Sequence, residues 1–282
     1  MVFLILAVSV NILFTLLYKI SERKNCHPVA VITSFFTVAL VISVLYVYIA
    51  GRLVFDWRVL LIGALGGLAT YGAIHAFLVL LRLGKFGLST VIVNLSLSIP
   101  ILVSIIFYGE RPAATTYIAF GLTVITFFLI GGNNKKQERI RHFWLWFILV
   151  LASMVLSGIA DTGPKVIQEL GLGDLAMNYL VFNYLFALIP TVILGIWRKQ
   201  FPKRKEWLIG SGLGTTGLFN MFFLTLALRT VPGTLAYPIN ITVVSIAIII
   251  LSYIIWHERL NIRQIAGVIT AISATVLISI NI

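Results

Sequence analysis

The sequence predicts an all-α, polytopic membrane protein, with ten transmembrane helices arranged as a 5+5 inverted repeat. Three observations carry this: the composition, the length of the apolar runs, and an internal similarity between the two halves. Of the 282 residues, 60% are hydrophobic and only 11% charged, whereas a soluble domain carries about 25% charged residues. Apolar stretches of about 20 residues recur along the whole chain, the length that crosses a hydrocarbon core as a helix. Lipid offers backbone amides no partner, so only helices and closed barrels span it. These continuous runs lack the alternating pattern of barrel strands.

The spans follow from hydropathy and from the charges that separate them. The first, about 2–20, ends at Lys19, Arg23 and Lys24. It has no basic leader segment and no small-residue cleavage site, so it reads as a span and not as a removable signal. The second, about 28–50, stops before Arg52, and the third, about 57–81, stops before Arg82 and Lys85. The fourth and fifth, about 86–109 and 112–131, meet at Glu110-Arg111. The longest polar break, Gly132 to Arg139, then divides the chain into a first half, 1–134, and a second half, 143–282, joined by a basic linker at 135–142. The remaining spans fall at about 143–166, 175–197, 207–229, 233–256 and 261–281, the last two meeting at Glu258-Arg259. Short connections leave no room for a domain outside the bilayer.

The formal charge is +12, from 21 Lys and Arg against 9 Asp and Glu. A basic soluble domain would point to nucleic acid, but here the charges sit in loops between apolar runs. Five of the 21, Arg52, Arg58, Arg111, Lys165 and Arg229, fall on one face, which leaves 16 on the other. Positive residues stay in the cytoplasm, so the loops after spans 1, 3, 5, 7 and 9 are expected inside and both termini outside. The expected location is the inner membrane of a bacterial or archaeal cell. Cys26 is the single cysteine, which excludes a disulfide within the chain and a cysteine-rich metal site. The four histidines have no zinc spacing, and no phosphate loop or nucleophile elbow stands in a suitable context. No catalytic residue, metal ligand or cofactor site is therefore expected.

The two halves align. Leu61-Ile62-Gly63 matches Leu208-Ile209-Gly210, Gly87 matches Gly233, Asn94 matches Asn240, Lys19 matches Lys165, and the two Glu-Arg pairs coincide. Five spans is an odd number, so the second copy enters the membrane upside down. Inverted repeats that rock about a central site are the architecture of secondary transporters. The other readings on such a scaffold are a lipid flippase or a non-transporting sensor. An intramembrane enzyme would need a clustered nucleophile and base, or a metal triad, and the spacings offer neither. One chain supplies both halves, so a monomer suffices, with a homodimer as the other open state.

The Glu-Arg pairs at 110–111 and 258–259, each about nine residues before a small residue (Ala119, Gly267), resemble the EamA-type repeat of the drug/metabolite transporter superfamily. The resemblance covers essentially the whole chain. It implies a small-molecule metabolite as cargo and a central cavity lined mainly by spans 1, 3, 4, 6, 8 and 9. Several relatives have cytoplasmic termini, the reverse of what the charge count gives here.

Polar groups at mid-bilayer depth are costly and mark function or helix pairing. Asp161 is the one acid well inside a span. Pro164 follows it, able to free carbonyls nearby, and Lys165 stands in ion-pair spacing. His75 titrates near neutrality with Tyr71 one turn away, so His75 and Asp161 are the candidates for proton coupling. Asn94 and Asn240 form the symmetric pair, and Tyr237-Pro238 adds a phenol and a helix interruption. Asn11 and Asn220 are amides in spans of the implied lining set. The expected cargo-binding residues are thus Asn11, Tyr71, His75, Asn94, Asp161, Asn220, Tyr237 and Asn240. Asn178, Asn183 and Tyr184 carry less weight, because the seventh span is more often peripheral in the family. Glu110 and Glu258 read as helix-end pairing partners, and the six tryptophans as interfacial anchors.

Overall fold

A computed structural model describes residues 2–51, 54–83, 143–227, 233–257 and 260–280, with isolated positions between 89 and 129. Eight long helices cover these residues: α1 (Val2–Arg23), α2 (Pro28–Ile49), α3 (Trp57–Leu80), α4 (Phe143–Glu169), α5 (Ala176–Trp197), α6 (Arg204–Ala227), α7 (Gly233–Trp256) and α8 (Ile262–Ile280). A short 3-10 turn, Gly173–Leu175, precedes α5. No strand occurs among the described residues. The helices match the first three and last five expected spans, with ends agreeing to within about three residues. The fourth and fifth spans and both Glu-Arg junctions, with Glu110 and Glu258, lie outside the described residues.

Six of the helices are long and apolar enough to cross a membrane, and their outward faces carry the apolar surface that lipid requires. Ile49, Leu208, Trp144 and Trp197 are each more than 70% exposed. Their ends are set by local chemistry. Pro28 opens α2, where a missing amide hydrogen costs nothing. Gly51 follows α2 in the left-handed region, with φ 62°, a conformation a side chain would resist. Asp56 caps α3 by accepting from the Arg58 amide at 2.8 Å.

The core lies between the first three helices and the next three. α3 packs along α4 and α5, α6 packs along α1 and α2, and α2 meets α5. α7 joins through α1, and α8 packs on α7. Glycines make two of these crossings close. A Cβ at Gly67 would fall on the Asn183 carbonyl oxygen of α5, and one at Gly63 would lie 2.6 Å from the Phe182 Cβ. Across α6 and α2 the same arrangement recurs. A Cβ at Gly214 would lie 2.7 Å from the Phe35 carbonyl oxygen, and one at Gly210 would lie 2.7 Å from that of Val31. Small residues four apart bring helix backbones together in lipid, where apolar burial alone does not favour association.

One face gathers the loops that follow α1, α3 and α5. Arg82 donates to the Cys26 carbonyl at 2.6 Å, and Lys205, at the start of α6, donates to the Lys24 carbonyl at 3.3 Å. Lys19 and Glu206 are buried here, Lys19 paired with Glu22 at 3.1 Å. Burial and the Arg82 and Arg198 charges hold the His27 imidazole below its usual pKa. A histidine with a lowered folded pKa is neutral in the fold. The stability it permits at neutral pH is lost as pH falls from about 6.5 toward the lowered value.

Two outcomes follow for the purified protein in detergent. Gly67→Ala places a methyl on the Asn183 carbonyl, and overpacking of this kind costs about 1–3 kcal/mol; thermal unfolding will show a lowered midpoint, as it will for Gly214→Ala. His27→Gln will flatten the loss of thermal stability on acidification below about pH 6.5, measured against wild type over the same series of buffers.

Candidate functional site

Four of the expected polar residues fall at a common depth. Measured from the helix end opposite the basic loops, Asn11 is nine residues in on α1, Asp161 eight on α4, and Asn220 and Asn240 seven each on α6 and α7. At 1.5 Å per residue these are depths of about 10–14 Å, inside the hydrocarbon region. Asn11 Nδ2 donates to Asn240 Oδ1 at 3.3 Å, tying α1 to α7. Asn240 is buried, so its amide meets Asn11 in place of water, as a buried polar group requires.

Asp161 lies at the same depth on α4. Protein atoms surround it densely, yet its side chain remains accessible. Ser96 donates to Asp161 Oδ2 at 3.4 Å. The segment bearing Ser96 reaches α4 because Gly158 has no side chain: a Cβ there would lie 2.8 Å from the Ser96 carbonyl oxygen. The side chains of Pro164 and Lys165 lie outside the described residues, and with them the expected Asp161–Lys165 pair.

Tyr71 and His75 are partners on α3, their rings 5.7 Å apart and tilted by 36°. The His75 Nδ1 and the Asn220 Oδ1 are buried and make no hydrogen bond to any described residue. Buried polar atoms are ordinarily satisfied, so these two are positioned to receive a partner. Asn94 lies outside the described residues, and Tyr237 belongs to α7 with its side chain outside them.

The seventh span, α5, departs from the expectation of a peripheral helix. It packs against both α2 and α3, and Asn178, Tyr179, Asn183 and Tyr184 are all buried. Asn183 Nδ2 donates to the Tyr179 hydroxyl at 3.2 Å, whose own proton points to the Ala160 carbonyl of α4 at 3.4 Å. Tyr179, Asn183 and Ser96 are therefore polar groups around Asp161 that the sequence reading passed over or set aside. The spacing of Tyr179 and Asn183, one helical turn apart on an otherwise apolar span, was the available signal. Nearer the basic face an aromatic cluster fills the interior, with Tyr18 of α1 stacking edge-on against Phe14 at 4.8 Å and Phe77 at 5.4 Å.

The tryptophans divide. Trp57, Trp144, Trp197 and Trp207 are exposed near helix ends, as interfacial anchors are. Trp146 is fully buried and donates through Nε1 to the Ser89 hydroxyl at 3.1 Å. It anchors α4 to the protein and not to the interface.

Comparison with known proteins relates the second half of the chain to a family. None of the curated proteins matches the sequence. A solved structure, described only as a crystal structure of a protein, shares the fold with a TM-score of 0.63 at 14% identity, covering 98% of this chain and 94% of that one. Residues 144–280 match the family described as EamA-like transporters. Over these residues, its second half, the chain is an EamA-like transporter sequence of the drug/metabolite transporter superfamily, and the protein is an integral, multi-pass membrane protein.

Proposed function

We propose that this protein is a secondary transporter that moves a small polar or amphipathic metabolite by alternating access between two inverted halves, residues 1–134 and 143–282. The observation that carries the proposal is the pattern of helix packing. Exchange α1, α2 and α3 for α4, α5 and α6, and the α3–α4 contact becomes α6–α1, the α3–α5 contact becomes α6–α2, and α2–α5 maps onto itself. The glycines obey the same exchange. Gly67 against the Asn183 carbonyl and Ala187 amide answers to Gly214 against the Phe35 carbonyl and Ala39 amide. Pseudo-symmetric halves with a polar site between them are the design on which alternating access rests.

Cargo would bind in the polar tier. The Asp161 carboxylate supplies charge, the Asn11–Asn240 pair and Asn220 supply amides, and Tyr71 with His75 supply a ring pair deeper toward the basic face. Asn94 and Tyr237 belong to the same proposed set by position. The basic face would be cytoplasmic, with the aromatic cluster around Tyr18 separating it from the tier. Rocking of the halves would open that cluster and close the opposite side. His75 and Asp161 are the groups through which a proton could be exchanged for cargo, since an imidazole and a carboxyl can each take up and release one.

Reconstitution in proteoliposomes tests this. Counterflow with a panel of radiolabelled amino acids, amines, sugars and nucleosides will reveal saturable uptake for at least one class. A hydrogen bond to a charged group is worth about 1.5–3 kcal/mol, so Asp161→Asn will weaken apparent affinity by about tenfold to a hundredfold. Absence of counterflow with every class, together with translocation of a fluorescent phospholipid, would favour the flippase reading. Proton coupling through these residues is excluded if His75→Gln and Asp161→Asn leave the pH dependence of uptake unchanged.

A further inference from the structure

Pro164 lies inside α4, which continues unbroken from Phe143 to Glu169. A proline has no amide hydrogen, so the carbonyl four residues earlier loses its helical donor. That carbonyl belongs to Ala160, the residue before Asp161. Inside a bilayer an unsatisfied carbonyl is costly, and a neighbouring helix commonly supplies the missing donor.

The donor here is Tyr179 of α5, whose hydroxyl meets the Ala160 carbonyl oxygen at 3.4 Å. A tyrosine hydroxyl has one proton to give and lone pairs to receive. Asn183 Nδ2 donates into those lone pairs at 3.2 Å, which leaves the hydroxyl proton free for Ala160. Thr70 of α3 lies 3.5 Å from Asn183 Oδ1, while its hydroxyl bonds the Gly66 carbonyl at 2.8 Å. Two glycines make room for the phenol. A Cβ at Gly66 would lie 2.8 Å from the Tyr179 oxygen, and one at Gly163 would overlap it. The hydroxyl is thus wedged between α3 and α4 at the turn that presents Asp161.

We infer that Tyr179 is a positioning residue for Asp161: its hydroxyl, oriented by Asn183, replaces the helical hydrogen bond that Pro164 removes from Ala160. This rests on the reading that Asp161 lines the cargo path, and it adds the group that holds that carboxylate's turn of helix in place. The aligned segment of the other half has Val31 and Phe35 where α5 has Tyr179 and Asn183, so the device belongs to one half only.

A rescue experiment on the full-length protein tests it. Pro164→Ala restores an amide hydrogen at position 164, so the Ala160 carbonyl no longer needs Tyr179. Tyr179→Phe is expected to lower the thermal midpoint in the proline background and to leave it unchanged in the alanine background. A second measurement reads position 161 itself. In a Cys26→Ser background, Asp161→Cys is labelled by a water-soluble maleimide, with Asn220→Cys as control. Tyr179→Phe is expected to change the labelling rate at 161 by about three- to tenfold, the worth of one net hydrogen bond, with position 220 unmoved and the parent rate restored by Pro164→Ala. Failure of Tyr179→Phe to fold, with recovery in the Pro164→Ala protein, equally supports the inference. An equal effect of Tyr179→Phe in both backgrounds overturns it, as does no effect in either. If position 161 labels in no background, the reading that Asp161 lines the cargo path fails, while the stability cycle still decides whether Tyr179 serves the Ala160 carbonyl.

Discussion

Backbone contact between α3 and α5, and between α6 and α2, is the constraint from which the rest of the structure follows. Lipid tails are as apolar as leucine, so a helix gains nothing by exchanging lipid for another apolar face. What holds helices together is closeness, and closeness needs residues without side chains. Gly63 and Gly67 present such a face to α5, and Gly210 and Gly214 present another to α2. With these crossings in place, α2 and α5 meet at the centre, and α1 and α4 are carried against the opposite half.

The site is a product of that closeness. Asn11 and Asn240 sit far apart in the chain and bond across α1 and α7 because the helices bring them to the same depth. Asp161 is tolerated at this depth because Ser96 donates to its carboxylate from a neighbouring segment. The helix-breaking residue beside it is compensated from a neighbouring helix, so α4 continues for another turn past Pro164. Stability and polarity are therefore not in competition here. Each polar group described in the tier is either bonded across helices or turned toward the interior.

Much of the fold was legible in the sequence, for a physical reason. A bilayer imposes one length and one secondary structure, so α1 to α3 and α4 to α8 could be located from apolar runs and flanking charges. The site was legible in part. Asn11, Asn240 and Asp161 were visible because a polar side chain is conspicuous in an apolar span, yet nothing in the chain said that Asn240 would bond Asn11. α5 was undervalued because centrality depends on packing between helices, which Gly63 and Gly67 decide from another segment. Tyr179 was passed over because a tyrosine in an apolar span reads as bulk, and its role depends on a carbonyl freed by a proline in a different helix. Trp146 looked like its exposed neighbours because burial depends on which face of α4 meets Ser89.

The cross-half packing also shapes how the protein is made. α1, α2 and α3 leave the ribosome before any part of α4, α5 or α6 exists, yet among the described residues these are the helices against which they pack most extensively. During synthesis they must each enter the bilayer on their own hydrophobicity, and α3 waits there with its glycine face open to lipid. α2 is the most apolar of the six spanning helices, whereas α6, glycine-rich and the least apolar of them, arrives when its partners α1 and α2 already stand in the membrane. Translation order thus separates the two sides of each crossing: α1, α2 and α3 enter before their partners exist, and α6 is received by helices already in place.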